Sequence, residues 1–519
     1  MTLALCLSLA ASACTDSTKG SGASATTLPG TVGSPTINRA QVDDAVKKLR
    51  DRITATLKGG GPPGLAFGVV FEDKVVATGG YGVRTLGQPA PIDGDTVFQL
   101  ASVSKSVSGS VMSALVGKKA FAWDDPMHAP NFALADQYVS DNVSYADLYS
   151  HRSGLPDHAG DLLEDLGFPQ DAVLNKLRLF PLDPFRSTYA YTNFGLTEAA
   201  IAGAAKGGMS FEDAARTELF DPLGMTNTSA TFADFMGHPD HATGHVLDGD
   251  KWVNTPQQRN PDDQSAAGGI SSSINDMMKW LRMELADGKL DGRQIVDADA
   301  LHRTWLPDIM FQPPKQPDSG PGFYGMGFNI NYDNAGRLRL THSGAFALGA
   351  STAVTMYPGD KVGIVVLTNG QPHGEPEAMA ASFFDDLLVG HQTQDWVGLL
   401  RDVMKNLIYP PPSQDWAHPP AGAAPAGPND HYVGTYTSDI YGPAEVFVGP
   451  SGLQFRIGPQ GQVYDLHPYS GDQMWWQFRG ENAGPPAAAT FSGDADGKAA
   501  SLNLENIVVP GQFGPFKRT

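Results

Sequence analysis

Ser102-Val103-Ser104-Lys105 sets a hydroxyl and an amine three residues apart where a helical apolar pattern begins. Side chains at i and i+3 of a helix share one face, about 5–6 Å apart at Cβ. Lys105 can therefore reach the Ser102 oxygen and take its proton, which is how a weak alcohol becomes a nucleophile. Val103, Val107, Val111, Met112 and Leu115 recur with a helical period. Ser102 falls in the first turn of the predicted helix, where unpaired N–H groups and the positive end of the dipole favour developing negative charge. Ser is also a favoured N-cap and Lys a common helix-surface residue, so these four residues alone do not decide for catalysis.

Two further clusters carry chemistry. Tyr191-Thr192-Asn193 closes a polar, aromatic run and opens a helical pattern through Leu196, Ala199, Ala200 and Gly203. A phenol beside an ammonium gives up its proton more readily, which suits a proton shuttle, and an Asn amide can bind a substrate carbonyl and the Lys together. Asn193 as a plain helix cap with Tyr191 packed beneath it is the competing reading. His342-Ser343-Gly344 follows the alternating segment Leu338 to Thr341, which reads as a strand. A glycine there would let a substrate backbone approach closely.

The order Ser-x-x-Lys, Tyr-x-Asn, His-x-Gly resembles the serine β-lactamase-like superfamily, in the branch that holds class C β-lactamases, D-alanyl-D-alanine carboxypeptidases, D-aminopeptidases and related esterases. The phrases from Leu148 to Pro156, Pro222 to Met225, Ala267 to Ile270 and Leu367 to Gly370 are similar too, so the likeness spans residues 38 to 408. It implies Ser102 as the acylated nucleophile, Lys105 as base or proton relay, and Tyr191 as the phenol serving acylation and deacylation. It makes Asn193 a contact to substrate and Lys105, and sets His342 and Gly344 along the cleft edge as substrate-binding residues. The oxyanion hole it implies is the pair of backbone N–H groups of Ser102 and Ala345, preorganised donors of a kind that often supplies the largest single term. No cofactor and no metal are implied.

One departure is informative. Class C β-lactamases carry Lys-Thr-Gly at the third motif, where the cation meets the β-lactam carboxylate; here a histidine stands, mostly uncharged at neutral pH. The expectation is a serine hydrolase acting through an acyl-enzyme on an ester or amide, such as a D-amino-acid peptide, amide or small ester. The alternatives are a β-lactamase and a non-enzymatic penicillin-binding or envelope-interaction protein.

Composition narrows the partners. A formal net charge of -20 over 519 residues excludes a phosphate-seeking basic surface, so a small-molecule or peptide substrate is expected rather than nucleic acid. Residues 1–13, with Leu3, Leu5, Leu7 and Leu9, resemble a signal peptide ending at Cys14 as in a lipoprotein, which would anchor an exported protein to a membrane through a lipid on Cys14. Cleavage after Ala13 without lipidation is the alternative. The Ser/Thr/Gly-rich residues 14–36 read as a flexible tether. The only cysteines are Cys6 and Cys14, so the body holds neither a disulfide nor a cysteine metal site. Oligomeric state stays open.

The elements that must position these residues suggest an α+β fold over residues 37–408. Val42, Val46, Leu49, Ile53 and Leu57 mark a first helix. Strands follow over Leu65 to Phe71 and Val75 to Gly80, with three more at Leu338 to Gly344, Ser351 to Met356 and Val362 to Thr368. The expectation is a β-lactamase/transpeptidase-like antiparallel five-stranded sheet flanked by helices, one of them from Glu377 to Val389, with a large helical insert from Ser102 to Leu306. Residues 409–428 are Pro/Ala-rich and read as a stiff linker. Residues 429–519 read as a small C-terminal antiparallel β domain, in which neighbouring Trp475 and Trp476 must face opposite sides, so at least one is core. His238, His241 and His245 lack matching acidic or Cys partners for a metal site, and Asp124-Asp125-Pro126 reads as a turn.

Overall fold

The computed structural model describes residues 37–519 apart from 131, 317–318, 409, 495 and 509–512. Cys6, Cys14, the signal and the tether lie outside the described residues. Helix Arg39–Lys58 starts in a capping box built by Asn38 and Gln41, which satisfies two orphan N–H donors reciprocally. Its apolar stripe, Val42, Ala45, Leu49 and Ile53, lies in one cluster with Leu65, Phe67, Val69 and Phe71 of strand Gly64–Phe71. The alternate residues Ala66 and Val70 join the cluster on the opposite face. Strand Val362–Thr368 divides in the same way, Ile364 and Val366 to one side and Val365 and Leu367 to the other. The apolar-on-both-faces reading therefore holds, with helices covering the sheet from both sides.

The sheet has eight strands, not five. Its order is Lys74–Gly82, Gly64–Phe71, Val362–Thr368, Ala350–Tyr357, Leu338–Phe346, Asn329–Tyr332, Gly322–Tyr324 and Ile309–Gln312, with antiparallel neighbours throughout. The three additional strands are three or four residues long and broken by Pro313-Pro314, Gly320-Pro321 and Gly325. So short a strand shows too little alternation to be told from loop. The first and last parts of residues 37–408 meet near one edge of the sheet, one strand in from Lys74–Gly82, where Leu65 pairs with Thr368 and Phe71 with Val362.

Between the sheet halves lies the helical insert, interrupted by two-stranded ribbons such as Val97–Gln99 with Ser271–Ser273. Helix Ser104–Gly117 runs through its centre and is buried along nearly its whole length. The serines alternating with its valines each find a partner: Ser106 Oγ donates to Gly327 O at 2.5 Å, Ser113 Oγ to Ala300 O at 3.1 Å, and Ser108 pairs with Tyr149 Oη at 2.6 Å. Buried hydroxyls are tolerated in a core on that condition.

Helix Trp396–Ile408 precedes the Pro/Ala-rich stretch, and a nine-stranded antiparallel sheet follows. Its edge strands, Gln462–Asp465 and His467–Ser470, are separated in sequence by Leu466 alone, so the sheet curls until it is nearly closed. Phe516–Arg518 sits mid-sheet between Gly434–Ser438 and Ser501–Leu504. Trp476 is fully buried against Phe455 and Tyr464, whereas the half-buried Trp475 stacks on His467 at 4.0 Å. Among the described residues no helix is long and apolar enough to cross a membrane.

Candidate active site

Ser102 is set by a strained turn. Ala101 has φ of 47°, left-handed for a non-glycine residue and costing roughly 1–2 kcal/mol, so the surroundings must hold it there. They do so from several sides. Thr352 Oγ1 donates to Leu100 O at 2.6 Å, and Leu100 N donates to Ile270 O at 2.9 Å. Ile270 N in turn donates to Ser104 Oγ at 3.0 Å. Ser102 lies in a short 3-10 turn, Ala101–Val103, and the α-helix proper begins at Ser104. The i to i+3 relation to Lys105 survives this tightening, because a 3-10 turn brings i and i+3 still more nearly into line.

Lys105 is fully buried and donates to Ser102 Oγ at 3.1 Å, Asn193 Oδ1 at 2.6 Å and Ala267 O at 2.8 Å. The last acceptor lies in the Ala267 to Ile270 phrase of the sequence, in a π-helical turn, Ser265–Gly269. Its role was not legible, since a backbone carbonyl leaves no mark in residue type. The Lys105 Nζ also sits 4.6 Å from the Tyr191 ring centroid. Ser102, Lys105, Tyr191 and Asn193 thus lie together.

A second group, absent from the sequence reading, orients the first. Asn193 begins helix Asn193–Lys206, and its Nδ2 donates to Asp161 Oδ2 at 2.8 Å. His158 Nδ1 meets the same carboxylate oxygen at 2.8 Å. With its amide nitrogen held by Asp161, Asn193 can turn only its carbonyl oxygen toward Lys105. Burial disfavours the His158 cation, but the hydrogen bond and charge of Asp161, with Asp157 nearby, outweigh it and hold the imidazole pKa above its usual value. Asp157 Oδ1 accepts from Tyr191 N at 2.9 Å. His151 lies against Tyr191 at 4.4 Å between ring centroids and accepts from Thr192 N through Nδ1 at 3.2 Å. Burial first, then the Lys105 charge, keep His151 neutral. His151 belongs to the Leu148 to Pro156 phrase, but His158 and Asp161 follow it with no motif of their own.

His342 is buried. Expected as a substrate contact, it is 1 % exposed, with Nε2 2.9 Å from Tyr324 Oη and Nδ1 2.7 Å from Ser343 O. A carbonyl only accepts, so Nδ1 carries the proton and Nε2 accepts from the phenol. Burial, followed by the Lys105 charge, lowers its pKa to about 3, so the ring stays neutral at any working pH. It supports the wall of the site through Tyr324, whose ring lies 4.9 Å from His151.

Gly344 is closely packed. The backbone it admits is the chain's own: a Cβ here would lie 2.2 Å from Leu100 O, 2.3 Å from Thr352 Oγ1 and 2.9 Å from Ser102 N. The nucleophile loop is pressed on the strand one residue before Ala345. Gly344→Ala is expected to lower kcat/KM by about 100-fold, because a shift of roughly 1 Å in a reacting group has that effect. Overpacking should also lower stability by about 1–3 kcal/mol. Ester hydrolysis and thermal denaturation of the variant check both, and a rate within threefold of wild type would show that the loop can yield.

The histidines of the loop from His238 to His245 make structural hydrogen bonds. His241 Nδ1 lies 2.6 Å from His238 O, and His245 accepts from Leu86 N through Nε2 at 3.0 Å. Among the described residues no group of His, Cys, Asp and Glu side chains could hold a metal ion. Asp125 accepts from Ala122 N at 2.8 Å as a turn residue, and Asp124 pairs with Arg303.

Comparison with known proteins fits this arrangement. A family model described as Beta-lactamase matches residues 49–385, and one described as Domain of unknown function (DUF3471) matches residues 418–513. "Unguisins hydrolase" of Aspergillus violaceofuscus is 25% identical over 74% of this chain and 73% of that protein. "Penicillin-binding protein 4" of Amycolatopsis lactamdurans is 26% identical over 68% of this chain and 89% of that one. "D-aminopeptidase" of Brucella anthropi is 26% identical over 54% of this chain and 52% of its own length. The octameric penicillin-binding protein homologue from Pyrococcus abyssi shares the fold, with a TM-score of 0.58 at 20% identity over 91% of this chain and 100% of that chain. The Beta-lactamase match takes in the Ser102 turn, the Tyr191–Asn193 pair and the strand of His342 and Gly344, and on that ground the chain belongs to the Beta-lactamase family.

Proposed function

We propose that this protein is a serine hydrolase that works through an acyl-enzyme on esters or amides, with D-amino-acid peptides, amides and small esters as the substrate class. The observation that carries the reading is the Lys105 amine, 3.1 Å from Ser102 Oγ and bonded to the Asn193 and Ala267 oxygens. With two N–H directions committed to those oxygens, a neutral amine would turn its lone pair to the Ser102 hydroxyl. Ser102 Oγ attacks the substrate carbonyl carbon while its proton passes to Lys105. The carbonyl oxygen becomes an oxyanion facing the N–H groups of Ser102 and Ala345, and Tyr191 with Lys105 protonates the leaving alkoxide or amine. Water then attacks the Ser102 ester, giving its proton to the same pair, which returns it to Ser102 Oγ as the bond to the acyl carbon breaks and the acid departs. The family's hydrolases, with a D-aminopeptidase and a penicillin-binding protein among the relatives, support acyl transfer as the reaction class.

Neutral, buried His342 argues against a β-lactam as the favoured substrate, since it supplies no cation for the β-lactam carboxylate. The test is a panel of p-nitrophenyl esters, D- and L-amino-acid amides, D-Ala-D-Ala peptides and nitrocefin. An ester or amide is expected to exceed nitrocefin at least tenfold in kcat/KM. Comparable nitrocefin turnover would favour a β-lactamase, and a stable penicilloyl adduct without steady-state product would replace the hydrolase by a penicillin-binding protein.

A further inference from the structure

The C-terminal domain touches the catalytic region beside the proposed oxyanion strand, through one carboxylate. Glu481 Oε1 accepts from Ala347 N at 2.6 Å and Oε2 from Leu348 N at 3.3 Å. Those N–H groups belong to the turn between strands Leu338–Phe346 and Ala350–Tyr357, which follows Ala345 directly. From within, the turn has the bond of Gly349 N to Phe346 O at 2.9 Å. The carboxylate from the other domain supplies the acceptors for its two leading N–H groups.

Both ends of this contact are anchored. Asp165 accepts from Asn482 N at 2.8 Å, Asn482 Nδ2 at 2.7 Å and Glu481 N at 3.3 Å, and its own carbonyl accepts from Gln462 Nε2 at 2.7 Å. On the catalytic side the Phe346 ring packs with Ala101 and Ala350 in a small apolar cluster of its own, and Ala101 is the strained residue before Ser102. The Arg259 guanidinium lies 5.7 Å from the Phe346 ring centroid and pairs with Glu164 Oε2 at 2.6 Å. One short path thus joins the C-terminal domain to both oxyanion N–H groups: from Glu481 through the turn to Ala345, and from Phe346 to Ala101 and Ser102.

We propose that Glu481 is a positioning residue for the hydrolysis, fixing the Ala345 N–H and the Ser102 turn from the C-terminal domain; this rests on the acyl-transfer reading above. It is not a catalytic residue, because it acts through the turn. The groups facing it are Arg259, its partner Glu164, and Asp165. Burial pushes the Glu481 pKa up to about 8, Arg259 and the Ala347 and Leu348 N–H groups pull against it, and Asp165 adds to the rise. The Arg259 charge and the two backbone donors thus both oppose the protonation that burial favours.

The experiment compares wild type, Glu481→Ala, Glu481→Gln and Ser102→Ala in the full chain with a p-nitrophenyl ester, reading kcat, KM and the thermal midpoint. Oxyanion donors act in the transition state, so kcat should fall about 10- to 100-fold in Glu481→Ala with KM within twofold. Glu481→Gln keeps one acceptor for Ala347 N and should fall between the two. A Glu481→Ala kcat within twofold of wild type would overturn the proposal. So would a loss that matches the unfolded fraction at the assay temperature, or a rise in KM alone. If wild type turns over through Ser102 while Glu481→Ala equals it, the positioning role alone fails; if wild-type turnover is absent or survives in Ser102→Ala, the acyl-transfer reading fails with it.

Discussion

Ser102→Ala should abolish ester turnover, with a loss of roughly 10⁴-fold or more, while the fold remains intact. The size follows from removing the atom that forms the covalent bond, which neither the oxyanion donors nor Lys105 can replace. The fold should tolerate it because Ser102 Oγ makes one hydrogen bond to Lys105, whose amine keeps the Asn193 and Ala267 oxygens. One such bond contributes about 0.5–1.5 kcal/mol net. Intact-mass measurement after fluorophosphonate treatment provides the sharper reading: wild type gains one adduct mapped to Ser102, and the variant gains none. An adduct on another residue, or undiminished hydrolysis, would sink the assignment.

Lys105→Met should lower kcat/KM by about 10²–10⁴-fold, the range that a positioned proton-transfer group supplies. Methionine keeps most of the side-chain length but donates no hydrogen bond, so the Ser102 hydroxyl loses its base and three oxygens lose a donor. A buried acceptor left without its donor costs about 1–3 kcal/mol, so the thermal midpoint should fall as well. The fluorophosphonate labelling rate of Ser102 separates the two effects. At a temperature where the variant is folded, slow labelling reports the lost base, and labelling at the wild-type rate would remove Lys105 from the mechanism.

The two variants divide the site as the sequence does. Ser102 and Lys105 were legible because they lie one turn apart on a single helix, so local spacing alone brings them into reach. Tyr191 and Asn193 were legible as residue types, but their arrival at Lys105 depends on helix Asn193–Lys206 packing against helix Ser104–Gly117. The bond from Lys105 to Asn193 spans 88 residues of chain. Asp161, His158 and the Ala267 carbonyl carried no usable signal, since a lone carboxylate, imidazole or peptide oxygen has chemistry only through what tertiary packing sets beside it.

Strands were read where both faces are buried or alternation is sustained, as in Val362–Thr368 and Leu338–Phe346, and missed where three or four residues bridge glycines and prolines, as in Gly322–Tyr324. The packing around His342 and Gly344 was not legible, and for one cause. Residue type and strand period place both on the sheet beside the nucleophile, but not which of them meets solvent. A strand edge facing substrate and one facing its own nucleophile loop have the same sequence.

By itself the sequence determined the Ser102–Lys105 pairing, the alternating strands of the central sheet, the helical pattern around Ser102 and the presence of a second, β-rich domain, because each depends on periods of a few residues that backbone geometry imposes locally. Tertiary structure alone decided that His342 is buried and neutral, that Gly344 admits the Leu100–Ser102 backbone, and that Glu481 reaches the turn beyond Ala345. Those outcomes depend on contacts between separate segments of the chain, where burial and electrostatics are properties of the assembled surroundings and not of the residue.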